Sequence, residues 1–165
     1  MTNFPHKFLE KRETKATFIC GDARFHPYRS RVIESLLESQ LDIQLAILDR
    51  IKSSQAYANS LISLNCSLNG DVNLRNLEII SAGGFLLTDQ LSPQSGFDKL
   101  LKPGEHCIVY SSPKELLEKV AHYLGKPDEA VSIAKNAYYK FYESLHPSYR
   151  INDLYKWMNT AGQPA

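Results

Sequence analysis

Three side chains in one short stretch have the types and spacing to hold an oxyanion and a sugar together: Asp71, Arg75 and Glu78. If residues 71–82 form a helix, a turn of about 100° per residue puts Asp71, Arg75, Glu78 and Ala82 on one narrow strip. Leu74, Leu77 and Ile80 then make the opposite side and are expected to face the core. Opposite charges on a helix that otherwise looks buried need partners. One account is an Arg75–Glu78 pair at i, i+3 on a solvated face, contributing only about 0.2–0.5 kcal/mol. The other is a ligand cleft. There the helix N-terminus and Arg75 would receive phosphate, while Glu78, an ionised carboxylate that only accepts hydrogen bonds, would take sugar hydroxyls. Spacing alone leaves both accounts open.

Other reactive side chains are sparse. Arg24, Arg29 and Arg31 form a small basic cluster, and His26 in the same stretch is a candidate acid–base group. His106 and His122 read as structural, and His146-Pro147 as a helix stop. Cys20, Cys66 and Cys107 are widely spaced, odd in number and set in apolar runs that read as strands, which suits buried free thiols in a reducing compartment. They lack the neighbouring His or carboxylate groups of a zinc site, so no metal is expected. No phosphate-binding glycine loop, dinucleotide fingerprint or zinc-protease motif occurs, and no cofactor is implied.

These residues must be positioned by a folded frame, and the composition provides for one. The 165 residues are 43% hydrophobic and 22% charged, ordinary for one domain with one core. A net charge of +1 and a pI near 7.7 give no electrostatic footprint for nucleic acid or an anionic membrane. The first fifteen residues are polar, without the apolar run of a leader, and no segment approaches a membrane span; a cytoplasmic location is expected.

Five β-rich runs are predicted at Ala16–Cys20, Asp42–Leu48, Leu61–Leu68, Phe85–Thr88 and His106–Tyr110. Between them, helical patterns fall over 28–40, 54–60 and 71–82, with a weak turn near 97–101. Ser112-Pro113-Lys114-Glu115 is a strong helix start with the makings of a capping box. Helices to Leu124, from Pro127 to about Leu145, and over 149–158 follow. Alternation of this kind predicts an α/β, three-layer Rossmann-like domain over residues 16–160, with a mostly parallel sheet of about five strands. Residues 1–15 read as a loose lead-in and 161–165 as a tail. Ligands of such folds sit outside the carboxyl ends of the strands. That points to the loops at 21–28, 69–73, 89–97 and 110–112.

The run N-L-R-N-L-E-I-I-S-A-G-G-F-L-L-T-D (Asn73–Asp89) resembles a segment of the GT-B glycosyltransferases, within these closest to the CgeB-like group. The resemblance continues through Leu101-Lys102-Pro103-Gly104-Glu105, Val109-Tyr110, Glu115-Leu116 and His122-Tyr123-Leu124, and more weakly to Ile133-Ala134 and His146…Tyr149-Arg150. It implies the C-terminal, donor-binding domain of such an enzyme, with a nucleotide-diphosphate sugar as ligand. Glu78 matches the second glutamate of the family's E-x(7)-E motif, which holds ribose hydroxyls; the first falls at Gly70, with Asp71 adjacent but out of register. Arg75 matches an arginine of the subgroup, near the diphosphate. Asn73 belongs to the same matched run, and Gly83 and Gly84 match small residues between helix and strand. Arg24, Arg29 and Arg31 are further candidates for the diphosphate.

The resemblance also implies a partner, because GT-B enzymes place the donor between two Rossmann-like domains and this chain has room for one. It therefore reads as the donor half of a glycosyltransferase, with a separate or upstream N-terminal acceptor-binding domain. The alternative is a non-catalytic nucleotide- or sugar-binding module. A receiver-like signalling domain is disfavoured, since Asp22 is the only acid directly after the first strand.

Overall fold

The computed structural model describes residues 7–21 and 26–161. Its strands are β1 (Glu13–Ile19), β2 (Ile43–Ala46), β3 (Ser60–Leu64), β4 (Leu86–Asp89) and β5 (Ile108–Tyr110). They form one sheet in the order β2-β1-β3-β4-β5, every pair parallel. Parallel neighbours need crossovers, and helices supply them. Helix α1 (Pro27–Glu38) joins β1 to β2, α2 (Arg50–Asn59) joins β2 to β3, and α3 (Leu74–Ser81) joins β3 to β4. A single turn, α4 (Phe97–Leu100), precedes β5, and α5 (Pro113–Leu124), α6 (Pro127–Lys140) and α7 (Pro147–Ala161) follow it. The expected Rossmann-like α/β architecture is what forms.

Two buried clusters flank the sheet. Val32 and Leu36 of α1 and Leu116 and Val120 of α5 pack with Phe18, Ile62 and Leu64. Tyr57 of α2, Ile79 and Ile80 of α3, and Phe97 and Phe141 pack with Ile19 and Leu86. Strand β3, covered on both sides, is buried throughout, so its polar residues must find partners inside. Ser60 Oγ lies 2.5 Å from Thr17 Oγ1, and Ser63 Oγ–H donates to the Tyr57 carbonyl at 3.4 Å.

Several boundaries move for local reasons. Asp49 accepts from the Lys52 N–H at 2.9 Å and so starts α2 at Arg50, four residues before the expected Ser54. Asn73 accepts from the Asn76 N–H at 3.3 Å and starts α3 at Leu74, which leaves Asp71 in the loop ahead of the helix. Ser112 caps α5 as predicted, but the box does not close on Ser112: Glu115 Oε2 accepts from Ser111, at 2.7 Å from its N–H and 2.5 Å from its hydroxyl. Lys119 adds an ion pair at 2.6 Å, and these contacts hold the Glu115 carboxyl down at about 2. The long helix after Pro127 passes at Phe141–Leu145 into a π-helical turn.

Strand β1 begins at Glu13, three residues early, and Phe8–Arg12 just before it make fixed contacts. Arg12 donates to the carbonyls of Leu9 at 3.0 Å and Gly83 at 2.6 Å, with its guanidinium 4.7 Å from the centre of the Phe8 ring. The three thiols are free, and each sits just beyond a strand end rather than within a strand. Cys66 and Cys107 are buried, Cys20 half-buried, and burial raises all three. Among the described residues, no helix is long and apolar enough to cross a membrane.

Candidate functional site

The strand order reverses between β1 and β3: β2 lies outside β1, while β4 and β5 extend from the other side of β3. The chain leaves these two adjacent strands in different directions, and a crevice opens at their carboxyl ends. One lip is Cys20-Gly21 after β1. The other is the segment from Asn65 to Asn73 after β3.

A buried polar network shapes the second lip. Asn65 Nδ2 donates to Asn76 Oδ1 at 2.6 Å and to Thr88 Oγ1 at 3.0 Å, while the Tyr110 hydroxyl donates to the Asn65 carbonyl at 2.8 Å. Asn73 Nδ2 reaches Asn65 Oδ1 at 3.5 Å. The Asp89 carboxylate, at the end of β4, accepts from the Ser67 N–H and hydroxyl. Ser67 Oγ in turn accepts the Gly70 N–H at 3.1 Å, and the Ser92 N–H donates to the Gly70 carbonyl at 2.7 Å. Gly70 adopts φ 70°, a left-handed turn that strains any residue with a side chain. The loop is thus held from β4 as well as from α3.

Two cavities meet at α3. One, of about 340 Å³, is lined by Arg29, Asp71, Asn73, Leu74, Arg75 and Glu78, among others. The second, of about 410 Å³, lies between Cys20-Gly21, α2 and α3, and shares Leu74, Arg75 and Glu78 with the first. Among the described residues Arg75 and Glu78 do not pair with each other; Arg75 lies within hydrogen-bonding reach of the Tyr57 phenol. Burial pushes that phenol up to about 12, so it stays neutral beside the guanidinium. Arg29 is 7% exposed, donates from Nη2 to the Cys66 carbonyl and keeps an unpartnered Nε–H.

The sequence-predicted residues therefore divide. Asp71, Asn73, Arg75, Glu78 and Arg29 share one cavity wall. Gly83 does not belong with them: it lies at the other end of α3, where its carbonyl takes Arg12 and its Cα faces Phe8 and Tyr138. Arg31 is exposed on α1 over the Tyr28 ring, 5.9 Å from its centre, and lines neither cavity. Arg24 lies outside the described residues. His26 directly precedes α1 without a capping side-chain bond. Ala82 is buried, so the charged strip stops at Glu78.

Leu74 corrects the assignment of faces on α3. It is 77% exposed and lines both cavities, while the core side is Asn76, Ile79 and Ile80. Ser54, Tyr57 and Asp89 were not singled out from sequence; nothing in the spacing on α2 separates a buried serine from a surface one. Among the described residues no three His, Cys, Asp or Glu side chains converge as a metal site.

A glycosyl transferase-like family model matches residues 41–156, well over half the chain and the whole of the β3–α3 lip. The chain belongs to this glycosyl transferase-like family. A crystal structure of TarM has the same fold, with a TM-score of 0.65 at 10% identity; the match covers 98% of this chain and 37% of TarM. The chain thus spans little over a third of that protein's length. No curated protein matches the sequence. The resemblance read from Asn73–Asp89 agrees with the glycosyl transferase-like family model, and Asn73, Arg75 and Glu78 of that run line one cavity at the edge of a Rossmann-like sheet. Chemically, that edge offers two arginines, two carboxylates and two carboxamides around one opening.

Proposed function

We propose that this domain binds a nucleotide-diphosphate sugar and is the donor-holding half of a glycosyltransferase. The observation that carries the reading is the gathering of Arg29, Asp71, Asn73, Arg75 and Glu78 on one cavity at the β1/β3 reversal. Glu78 accepts from the ribose hydroxyls. Arg75 and the free Nε–H of Arg29 face the diphosphate, with Arg24 a further candidate. As the glycosyl bond breaks, negative charge grows on the leaving diphosphate, and cations already fixed there stabilise it without reorganising. The acceptor would come from a second body, either a separate subunit or an upstream domain. The apolar residues left exposed along α7 (Ile151, Leu154, Tyr155 and Met158) support such a neighbour.

A second reading, a nucleotide- or sugar-binding module without turnover, is favoured by Gly70. The position matched to the first motif glutamate is a left-handed turn carrying no side chain. Thermal-shift measurements with UDP, GDP and their sugar conjugates test both readings: a rise in Tm is expected, and Glu78→Ala is expected to abolish it. No shift with any of these ligands would remove both. Release of free sugar from a bound donor then separates the enzyme from the module.

A further inference from the structure

Asn69-Gly70 is the one Asn-Gly pair of the chain. It lies in the β3–α3 loop, outside any helix or strand, and Asn69 is exposed. Asn69 also lines the cavity shared by Arg29, Arg75 and Glu78, yet its carboxamide makes no hydrogen bond among the described residues. Neighbouring asparagines are engaged: Asn65 donates to Asn76 and Thr88, and Asn73 caps α3. Asn152 and Asn159 are exposed, but they sit within α7, where the backbone nitrogen that follows each is held in the helix.

The carboxamide carbon is an electrophile, and the next backbone nitrogen is the nucleophile nearest to it, which makes asparagine thermolabile. Glycine presents that nitrogen with no side chain in the way. We infer that Asn69 is a site of self-modification, converted to isoaspartate or aspartate at the lip of the cavity. The Gly70 nitrogen bonds to Asn69 Cγ and closes a five-membered succinimide. The Cγ–Nδ2 bond breaks, and the side-chain nitrogen leaves as ammonia with the Gly70 proton. Water then opens the ring at either carbonyl, its OH going to the carbon released and its hydrogen to the Gly70 nitrogen. The fold sets the pace: Ser67 Oγ accepts the Gly70 N–H at 3.1 Å, and the nitrogen must leave that hydroxyl to attack. Either product puts a carboxylate where a neutral carboxamide stood, on the wall that carries Arg29 and Arg75. The consequence for binding rests on the donor reading: the new charge repels the diphosphate, so nucleotide affinity declines as the molecule ages.

Peptide mass spectrometry of the full chain, incubated at physiological temperature in mildly alkaline buffer, reads the exchange of NH2 for OH at each asparagine. Asn69 is expected to convert before any other asparagine, and faster once urea unfolds the chain and frees Gly70. A folded chain that keeps Asn69 intact while the unfolded chain converts, or that converts another asparagine first, overturns the site. Asn69→Asp carries the charge in advance and is expected to weaken UDP and GDP several-fold in calorimetric titration, whereas Asn69→Gln binds them as the unaltered chain does. If Asn69→Asp binds as tightly as the unaltered chain, the effect on affinity falls and the donor reading stands. If the unaltered chain binds no nucleotide, the donor reading falls with that effect, and the conversion of Asn69 is decided by its mass.

Discussion

The Asp89 carboxylate holds Ser67 twice, accepting its backbone N–H at 2.8 Å and its hydroxyl at 2.5 Å. Asp89 ends β4 and Ser67 lies in the β3–α3 loop, so this pair fixes the lip of the crevice to the neighbouring strand. Both residues are buried, Asp89 at 5% and Ser67 at 4% exposure. Asp89→Ala leaves two buried donors unpaired and is expected to cost about 2–4 kcal/mol. For a domain of this size that is a Tm loss on the order of 5–15 °C. Nucleotide affinity measured well below the new Tm should also fall, because Gly70 hangs from Ser67 Oγ. A variant with unchanged Tm would show that the loop is held by other contacts.

Asp71 stands in the loop beside the position where the family motif carries its first glutamate, and it opens on the same cavity as Arg75 and Glu78. A carboxylate displaced by one residue can still reach the sugar of the donor while missing the nucleotide. Asp71→Asn is therefore expected to weaken a nucleotide sugar several-fold and to leave the matching nucleoside diphosphate unchanged. Glu78→Ala weakens both. Equal losses with both ligands for Asp71→Asn would place Asp71 at the nucleotide instead.

Much of the frame was legible in the residues, and the departures share a cause. Strand–helix alternation gave the five-stranded parallel sheet because period-2 and period-3.6 patterns depend only on local order. The helix carrying Arg75 and Glu78 was legible as well, but its faces were not. Helical spacing puts Leu74 on the core side; the fold exposes Leu74 and buries Asn76. Asn76 is 0% exposed because Asn65, eleven residues earlier, donates to it, and Leu74 is left on the cavity wall. A buried carboxamide pair of this kind is a tertiary fact that no helical periodicity encodes. Gly83, which the resemblance matches to a small residue between helix and strand, is likewise carried by α3 to the end away from the cavity.

Tyr57, Cys66 and Cys107 predict how stability changes at alkaline pH. Burial raises Tyr57 to about 12, Cys66 to about 11 and Cys107 to about 12, from ordinary values of 10, 9 and 9. In each case the unfolded chain loses its proton first, so the folded state binds more protons in between, and stability falls as pH rises. The loss should begin near pH 9 and steepen through 11, while the same three groups contribute no slope below pH 8. Tm measured from pH 7 to 11 checks the sign, and Cys107→Ala should flatten the decline. A Tm that holds constant to pH 11 would contradict the burial of these groups.

Tyr57 also bears on the site, since its phenol is the partner within reach of Arg75. Tyr57→Phe keeps the ring, which is 1% exposed, and removes only the hydroxyl. The expected result is a small change in Tm and a loss of nucleotide affinity of about 3–10-fold, as Arg75 loses its orientation. The loss should disappear in an Arg75→Ala background, because the hydroxyl would then have nothing to orient. Additive losses in the double variant would separate Tyr57 from Arg75.

The two glycines after α3 separate what holds the fold from what holds the ligand. A Cβ on Gly84 would lie 2.8 Å from Ile79 Cγ2 and 3.0 Å from the Ile79 carbonyl oxygen, contacts that backbone cannot relieve cheaply. Gly83 has φ 83°, and its added Cβ would sit 3.2 Å from Phe8 Cδ2. The left-handed backbone alone costs a side-chain-bearing residue about 1–2 kcal/mol. Gly84→Ala, which overpacks α3 against β4, is expected to cost about 1–3 kcal/mol or more. Both variants should therefore melt at lower temperature, Gly83→Ala losing in addition the fit of the Arg12 and Phe8 strap. Neither substitution touches the cavities at the other end of α3, so nucleotide affinity measured below the lowered Tm should match that of the unaltered chain. A Gly83→Ala variant that keeps its Tm and loses nucleotide binding would return Gly83 to the site from which its position removes it.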